Sequence, residues 1–218
     1  MSNSLREQIS GIDFDWEQPQ NQAEFQGYMH LIQDASTVLH SMGYLISVAV
    51  HPRQFLPVEI YNLIDQVHIM TYDMMAKNKH NEFHHSDSSQ MIHEIGLFLE
   101  NGCPPSKIVV GIPMYGRHVR DINSVKTYSE LVDTLPPEKR KNRHSFYKVD
   151  QIENYSFDSP SDIRHKIQYV LSHGLKGIFF WEIGQDFQNA AISPGGLLLE
   201  SATNAIQQTI HESPHDEF

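Results

Sequence analysis

Hydrophobic and polar positions follow two periods along the chain. Residues 45–50, 67–72, 108–113 and 177–181 are short, nearly unbroken apolar runs. That is the pattern of strands covered on both faces. Residues 11–16 alternate acid and apolar and form the first strand candidate. Helical spacing fills the gaps. Residues 21–42 place Phe25, Met29, Ile32 and Leu39 on one face and stop at Gly43. Residues 57–64 read as a short helix, 86–101 as a helix with Ile92, Ile95 and Leu99 inward, 161–172 as one with Ile163, Ile167 and Val170 inward, and 197–210 as the last. Residues 117–158 read as polar and irregular, apart from a helical turn or two near 128–135. Alternating strands and helices predict βα units, hence an α/β fold with five parallel strands and a polar tail over residues 212–218.

Length and charge narrow the class. A chain of 218 residues holds one domain, or one with a small appendage. The net charge of −11 speaks against nucleic acid as a partner, because phosphate binding needs Lys and Arg. No apolar run approaches the roughly 20 residues of a membrane span. The single Cys103 excludes an internal disulfide framework and a Cys-rich metal site. The opening MSNSLREQIS has no apolar core of a signal peptide.

The chemistry concentrates on the first strand. Side chains alternate across a strand, so Asp13, Asp15 and Glu17 share one face and Ile12, Phe14 and Trp16 the other. Successive acids then lie about 7 Å apart, at roughly 3.3 Å per residue. Three carboxylates at that spacing do not all ionise cheaply, and burial adds to the cost. A shared proton is expected, with Glu17 as the group that keeps one. A held proton beside an anion is what general acid catalysis on a glycosidic oxygen requires. A metal site or a solvated acidic edge strand are the other readings of the same row.

The segment Ser10-Gly11-Ile12-Asp13-Phe14-Asp15-Trp16-Glu17 resembles the catalytic signature of glycoside hydrolase family 18, the chitinases and chitinase-like proteins. That signature is Asp-Gly-x-Asp-x-Asp-x-Glu, and Ser10 stands at its first Asp. Three more blocks resemble the family in the right order. Met70-Thr71-Tyr72-Asp73 is similar to its strand-six motif, Gly111 to Arg117 to its strand-seven motif, and Gly177 to Glu182 to its strand-eight motif. Without that company, Met70, Tyr72 and Trp181 read equally well as core, Tyr115 as a rim filler and Arg117 as a surface residue.

The resemblance implies a TIM barrel and a chitin or N-acetylglucosamine oligosaccharide as ligand, cleaved with help from the sugar's own acetamide. It assigns Glu17 as acid, Asp15 as the partner of the acetamide, Asp13 as the group that tunes Asp15, and Tyr72 as a donor to the acetamide oxygen. Met70, Asp73, Tyr115, Arg117 and Trp181 are implied to hold the sugar, and no metal or organic cofactor is needed. The chain starts at what matches strand four, so a partial barrel of strands four to eight is expected, with strands one to three missing. Residues 1–211 would form the catalytic domain and 117–177 a reduced insertion between strands seven and eight. The first strand would be an open edge, inviting self-association. Dead members of the family are lectin-like and usually lose the terminal Glu, which is present here as Glu17. The end, His-Asp-Glu-Phe, resembles an endoplasmic-reticulum retrieval signal with Phe for Leu. The cluster from His80 to His85 lacks the helical His pair of a zincin and reads as cleft rim or solvated loop.

Overall fold

The computed structural model describes residues 9–74, 76–77, 83–142, 145–191 and 193–212. β1 (Gly11–Phe14) leads to α1 (Gln22–Ser41), β2 (Leu45–Val50) to α2 (Val58–Leu63), and β3 (Gln66–Ile69) to a short antiparallel pair, β4 (Ala76–Lys77) and β5 (Phe83–His84). Next come α3 (Ser88–Glu100), β6 (Ile108–Pro113), β7 (Tyr115–His118), β8 (Asp121–Thr127), α4 (Tyr128–Asp133) and α5 (Pro137–Arg140). β9 (Gln151–Ile152), β10 (Tyr155–Ser156), α6 (Pro160–Ser172), β11 (Gly177–Trp181) and α7 (Leu197–Glu212) complete the described chain.

β1, β2, β3, β6 and β11 form one sheet in that order, and every neighbouring pair is parallel. The expected five parallel strands are therefore present. Their ends differ from the sequence pattern. β1 stops at Phe14, and β3 stops at Ile69, where the N–H groups of Thr71 and Tyr72 turn back to the carbonyls of Ile69 and Met70. Met70 N–H still donates to the Val50 carbonyl of β2, and the turn carries Thr71–Asp73 off the end of the sheet. One face of the sheet packs on its helices through two apolar clusters. Tyr28, Ile32, Val48, Val67, Ile95 and Phe98 sit in the first, and Ile112, Leu131, Phe157, Ile163 and Leu198 in the second.

Residues 117–158 are not irregular. β8, β7, β10 and β9 form a four-stranded antiparallel sheet, and α4 seats Tyr128, Leu131 and Val132 in the second cluster. β9 and β10 are two residues each, too short to show a period. α4 starts on a capping box between Thr127 and Glu130. A buried ion pair ties this unit to the rest. The Lys166 ammonium on α6, fully buried, donates to both Asp158 carboxylate oxygens at 2.8 and 2.6 Å, and to the Ser86 carbonyl and hydroxyl oxygens at 2.7 and 2.6 Å.

No helix among the described residues is long and apolar enough to cross a membrane. Residues 80–82 of the histidine cluster and the C-terminal His-Asp-Glu-Phe lie outside the described residues.

Candidate active site

The carboxyl ends of the parallel strands surround a cavity of about 410 Å³. That is the size range of small-molecule sites. Asp13, Asp15 and Glu17 line one wall, Met70, Tyr72 and Asp73 the middle, and Tyr115 and Trp181 the far side. Eight of the nine residues expected at the site thus meet in one cavity. Arg117 is not in its wall. It reaches Asp73 from behind, Nε to Oδ1 at 2.7 Å and Nη2 to Oδ2 at 2.6 Å, a bidentate pair.

The acidic row sits at the rim of the cavity. All three carboxylates are exposed, and Asp15 and Glu17 extend past the end of β1. Two contacts hold this unpaired extension. The Tyr28 hydroxyl donates to the Phe14 carbonyl at 3.3 Å, and the Gln54 amide to the Trp16 carbonyl at 3.1 Å. Close approach of β1 to β2 requires Gly11, since a Cβ there would collide with the Leu45 carbonyl.

The expected proton sharing takes a different form. Burial would raise the Asp13 carboxyl, but the His68 imidazole and the Ser47 hydroxyl outweigh it and hold the group below its ordinary value. His68 Nδ1 is 3.2 Å from Asp13 Oδ1, and Ser47 Oγ donates to the same oxygen at 2.5 Å. Asp15 is raised instead, by partial burial and by the Asp13 charge. Asp13 is the settled anion of the pair, and Asp15 is the group that resists ionising.

Tyr72 is almost fully buried and meets Tyr115 and Phe179 edge-on, ring centroids 6.3 Å away in each case. Burial pushes its hydroxyl pKa well up, so it stays an O–H donor. Gly111 makes room for this ring, because a Cβ there would lie 2.8 Å from Tyr72 and 2.7 Å from Phe179. Thr71 bolts the segment down, its hydroxyl donating to the Gly111 carbonyl at 2.7 Å. Asp73 has a φ of 56°, in the left-handed region that Asp tolerates better than most residues. Burial would raise its carboxyl, but hydrogen bonds from His85 and Arg117 hold it down at about 2. Trp181 is 54% exposed and joined to Glu182 by a cis peptide. The exposed indole presents a flat apolar face at the cavity edge.

The family model for glycosyl hydrolases family 18 matches residues 2–186. The chain belongs to glycosyl hydrolase family 18. It is similar to Endochitinase 1 of Metarhizium robertsii, 25% identical over 224 residues that cover 83% of this chain and 53% of that one. The family 18 chain thus spans about half the length of that relative. Its fold resembles a chitinase from Bacteroides thetaiotaomicron, with a TM-score of 0.78 at 19% identity, covering 97% of this chain and 68% of the other. It also resembles the GH18 chitinase from Cycas revoluta in complex with (GlcNAc)3, with a TM-score of 0.71 at 21% identity, covering 93% and 70%.

Several residues around this cavity carried no signal in the sequence. Ser47 and His68 look like polar interruptions in apolar strands, and their alternation with buried neighbours shows only that they face away from the helices. His85 sat in a cluster that reads as loop or rim, yet it is buried behind Asp73 with Nδ1 3.1 Å from Oδ1. His84 is buried too, its Nε2 3.0 Å from the Phe157 carbonyl oxygen.

Proposed function

We propose that the cavity binds a β-1,4-linked N-acetylglucosamine oligosaccharide, from chitin or a related polymer, and cleaves it with retention by substrate assistance. The observation that carries this reading is the convergence of Asp13, Asp15 and Glu17 with Tyr72, Asp73, Tyr115 and Trp181 around one cavity. Glu17, exposed at the rim, protonates the leaving oxygen. The acetamide oxygen of the bound sugar attacks its own anomeric carbon as the glycosidic C–O bond breaks, and water, deprotonated by Glu17, then opens the ring so formed from the face the leaving group vacated. Asp15 orients the acetamide N–H and offsets the positive charge of the ring that forms. Asp13 acts on Asp15 through its charge. Tyr72 donates to the acetamide oxygen. Asp73 and Tyr115 position the sugar, with Arg117 holding Asp73 in place and Met70 as an apolar wall. Trp181 stacks beneath the ring. The scheme uses no metal or organic cofactor. The five parallel strands are read as strands four to eight of a (β/α)8 barrel, whose active sites lie at the carboxyl ends of the strands.

The test is Glu17→Gln. Gln keeps the shape but has no proton to give, and general acid catalysis is worth about 10² to 10⁴-fold. Hydrolysis of a chromogenic chitobioside should fall by that factor while calorimetric binding of (GlcNAc)3 is retained. Unchanged hydrolysis removes Glu17 from the chemistry. Binding with no hydrolysis by the unaltered chain is instead the behaviour of a lectin-like member.

A further inference from the structure

Behind the cavity wall, His85 is wedged between two rings and two acceptors. Its ring lies 5.1 Å from the Tyr115 ring and 6.2 Å from that of His84, centroid to centroid. Nδ1 is 3.1 Å from Asp73 Oδ1 and Nε2 is 3.2 Å from the Tyr115 carbonyl oxygen. Neither neighbour can donate. A neutral imidazole has one N–H, so it satisfies one of the two. The carboxylate is the stronger acceptor, which places the proton on Nδ1 by inference from the network. Burial outweighs the nearby carboxylates and keeps His85 below the ordinary histidine range, consistent with a neutral ring.

The backbone that carries the ring is held on both sides. The His85 carbonyl accepts from Met74 N–H at 3.0 Å, and its own N–H donates to Ser156 Oγ at 3.3 Å. The next residue, Ser86, is gripped by the buried Lys166 and Asp158. Asp73, by contrast, lies on a segment that has left the sheet, in a left-handed conformation. Arg117 gives it charge and two bonds, but Arg117 is itself partly exposed on β7 of the small sheet. His85 reaches Asp73 from the core side, beside the buried Tyr115, whose side chain also hydrogen-bonds Asp73.

We infer that His85 is a positioning residue of this site, a rigid donor that fixes the Asp73 carboxylate toward the bound sugar and ties it to the core behind Tyr115. The inference rests on the reading of the cavity as an N-acetylglucosamine site. Hydrogen bonds to charged groups contribute about 1.5 to 3 kcal/mol, so loss of this one should weaken sugar binding roughly 10- to 100-fold.

The experiment is a double-mutant cycle read by calorimetry with (GlcNAc)3, in a Glu17→Gln background so that turnover does not intrude. His85→Phe keeps a ring in the slot and removes the donor. Asp73→Ala removes what His85 acts through. If His85 works through Asp73, His85→Phe weakens binding in the parent and costs nothing further once Asp73 is Ala. A merely structural His85 gives the same fold-loss in both backgrounds, and that additivity overturns the inference, as does unchanged affinity on His85→Phe alone. If His85→Phe does not fold, His85→Asn, polar and too short to reach Oδ1, replaces it in the same cycle. Absence of any (GlcNAc)3 binding by the Glu17→Gln chain overturns the sugar-site reading, and the role of His85 with it.

Discussion

Asp15 and Tyr72 both face the sugar's acetamide in the proposed scheme, but they do different work. Asp15 offsets charge that exists only as the ring forms, whereas Tyr72 supplies one hydrogen bond from a hydroxyl that burial keeps protonated. Asp15→Asn should therefore lower kcat by at least tenfold more than Tyr72→Phe, for which roughly 0.5 to 1.5 kcal/mol is expected. Steady-state kinetics on a chitooligosaccharide checks this, and equal small effects mean that the sugar sits elsewhere. Asp73 gives a pH prediction. Its carboxyl is held at about 2 against an ordinary 3.8, so the folded state favours the charged form. Its stabilising share is complete above the ordinary value and is lost as pH falls from there through about 2. Asp73→Asn removes that dependence. Thermal melts across the window should show a flatter decline of Tm with falling pH for the variant, and parallel curves would remove Asp73 from the acid response.

A charge pair with almost no water joins α6 to the segment before it, and Ser86 of the loop before α3 packs onto that pair. Lys166 and Asp158 have side-chain exposures of 0% and 1%. Asp158 precedes the capping box of Ser159 and Asp162 that starts α6, and Lys166 lies two turns further on. The pair fastens three elements: α6, the end of β10 and the Ser86 turn next to His85. Lys166→Met leaves a buried carboxylate unpaired, and such breaks cost about 3 to 5 kcal/mol. Removing both charges, in Lys166→Met with Asp158→Leu, should cost less than the single change, because no buried charge is stranded. Urea unfolding of the three proteins decides it. A single variant as stable as the parent would mean that water reaches the pair.

The five-stranded sheet is open. β1 pairs with β2 on one side and with no other strand among the described residues. Next to this edge Ile12 and Leu45 are 45% and 47% exposed. An unpaired backbone edge flanked by apolar side chains is a template for a second chain. The net charge of −11 opposes association. The 218-residue chain should self-associate at micromolar concentration and turn over substrate slowly, because the acid row stands at the edge and is hydrated on its outer side. Size-exclusion chromatography over a concentration series tests this. Ile12→Lys, which puts a charge on the edge, should shift the population toward monomer. A parent chain that stays monomeric at every concentration would show that the edge is protected.

The acid row was legible because one extended segment carries it. The spacing of Asp13, Asp15 and Glu17 places them on one side wherever the chain stays extended, whatever surrounds it. The parallel strands were legible for a similar reason, since runs such as Ile108–Pro113 bury both faces and leave no polar alternation. Tertiary structure alone decided who touches the acids. Ser47 meets Asp13 across 34 positions and Arg117 meets Asp73 across 44, pairings set by strand register and loop path and absent from any local period. It also decided the small antiparallel sheet, in which β9 and β10, at two residues each, are too short to have a pattern of their own. His85 marks the boundary most clearly. The sequence determined that a histidine stands twelve residues after Asp73. The return of that segment to the sheet, packed against Tyr115 and anchored through Ser86, decided that its ring is buried and aimed at the carboxylate. A side chain's partner depends on where packing brings distant backbone together.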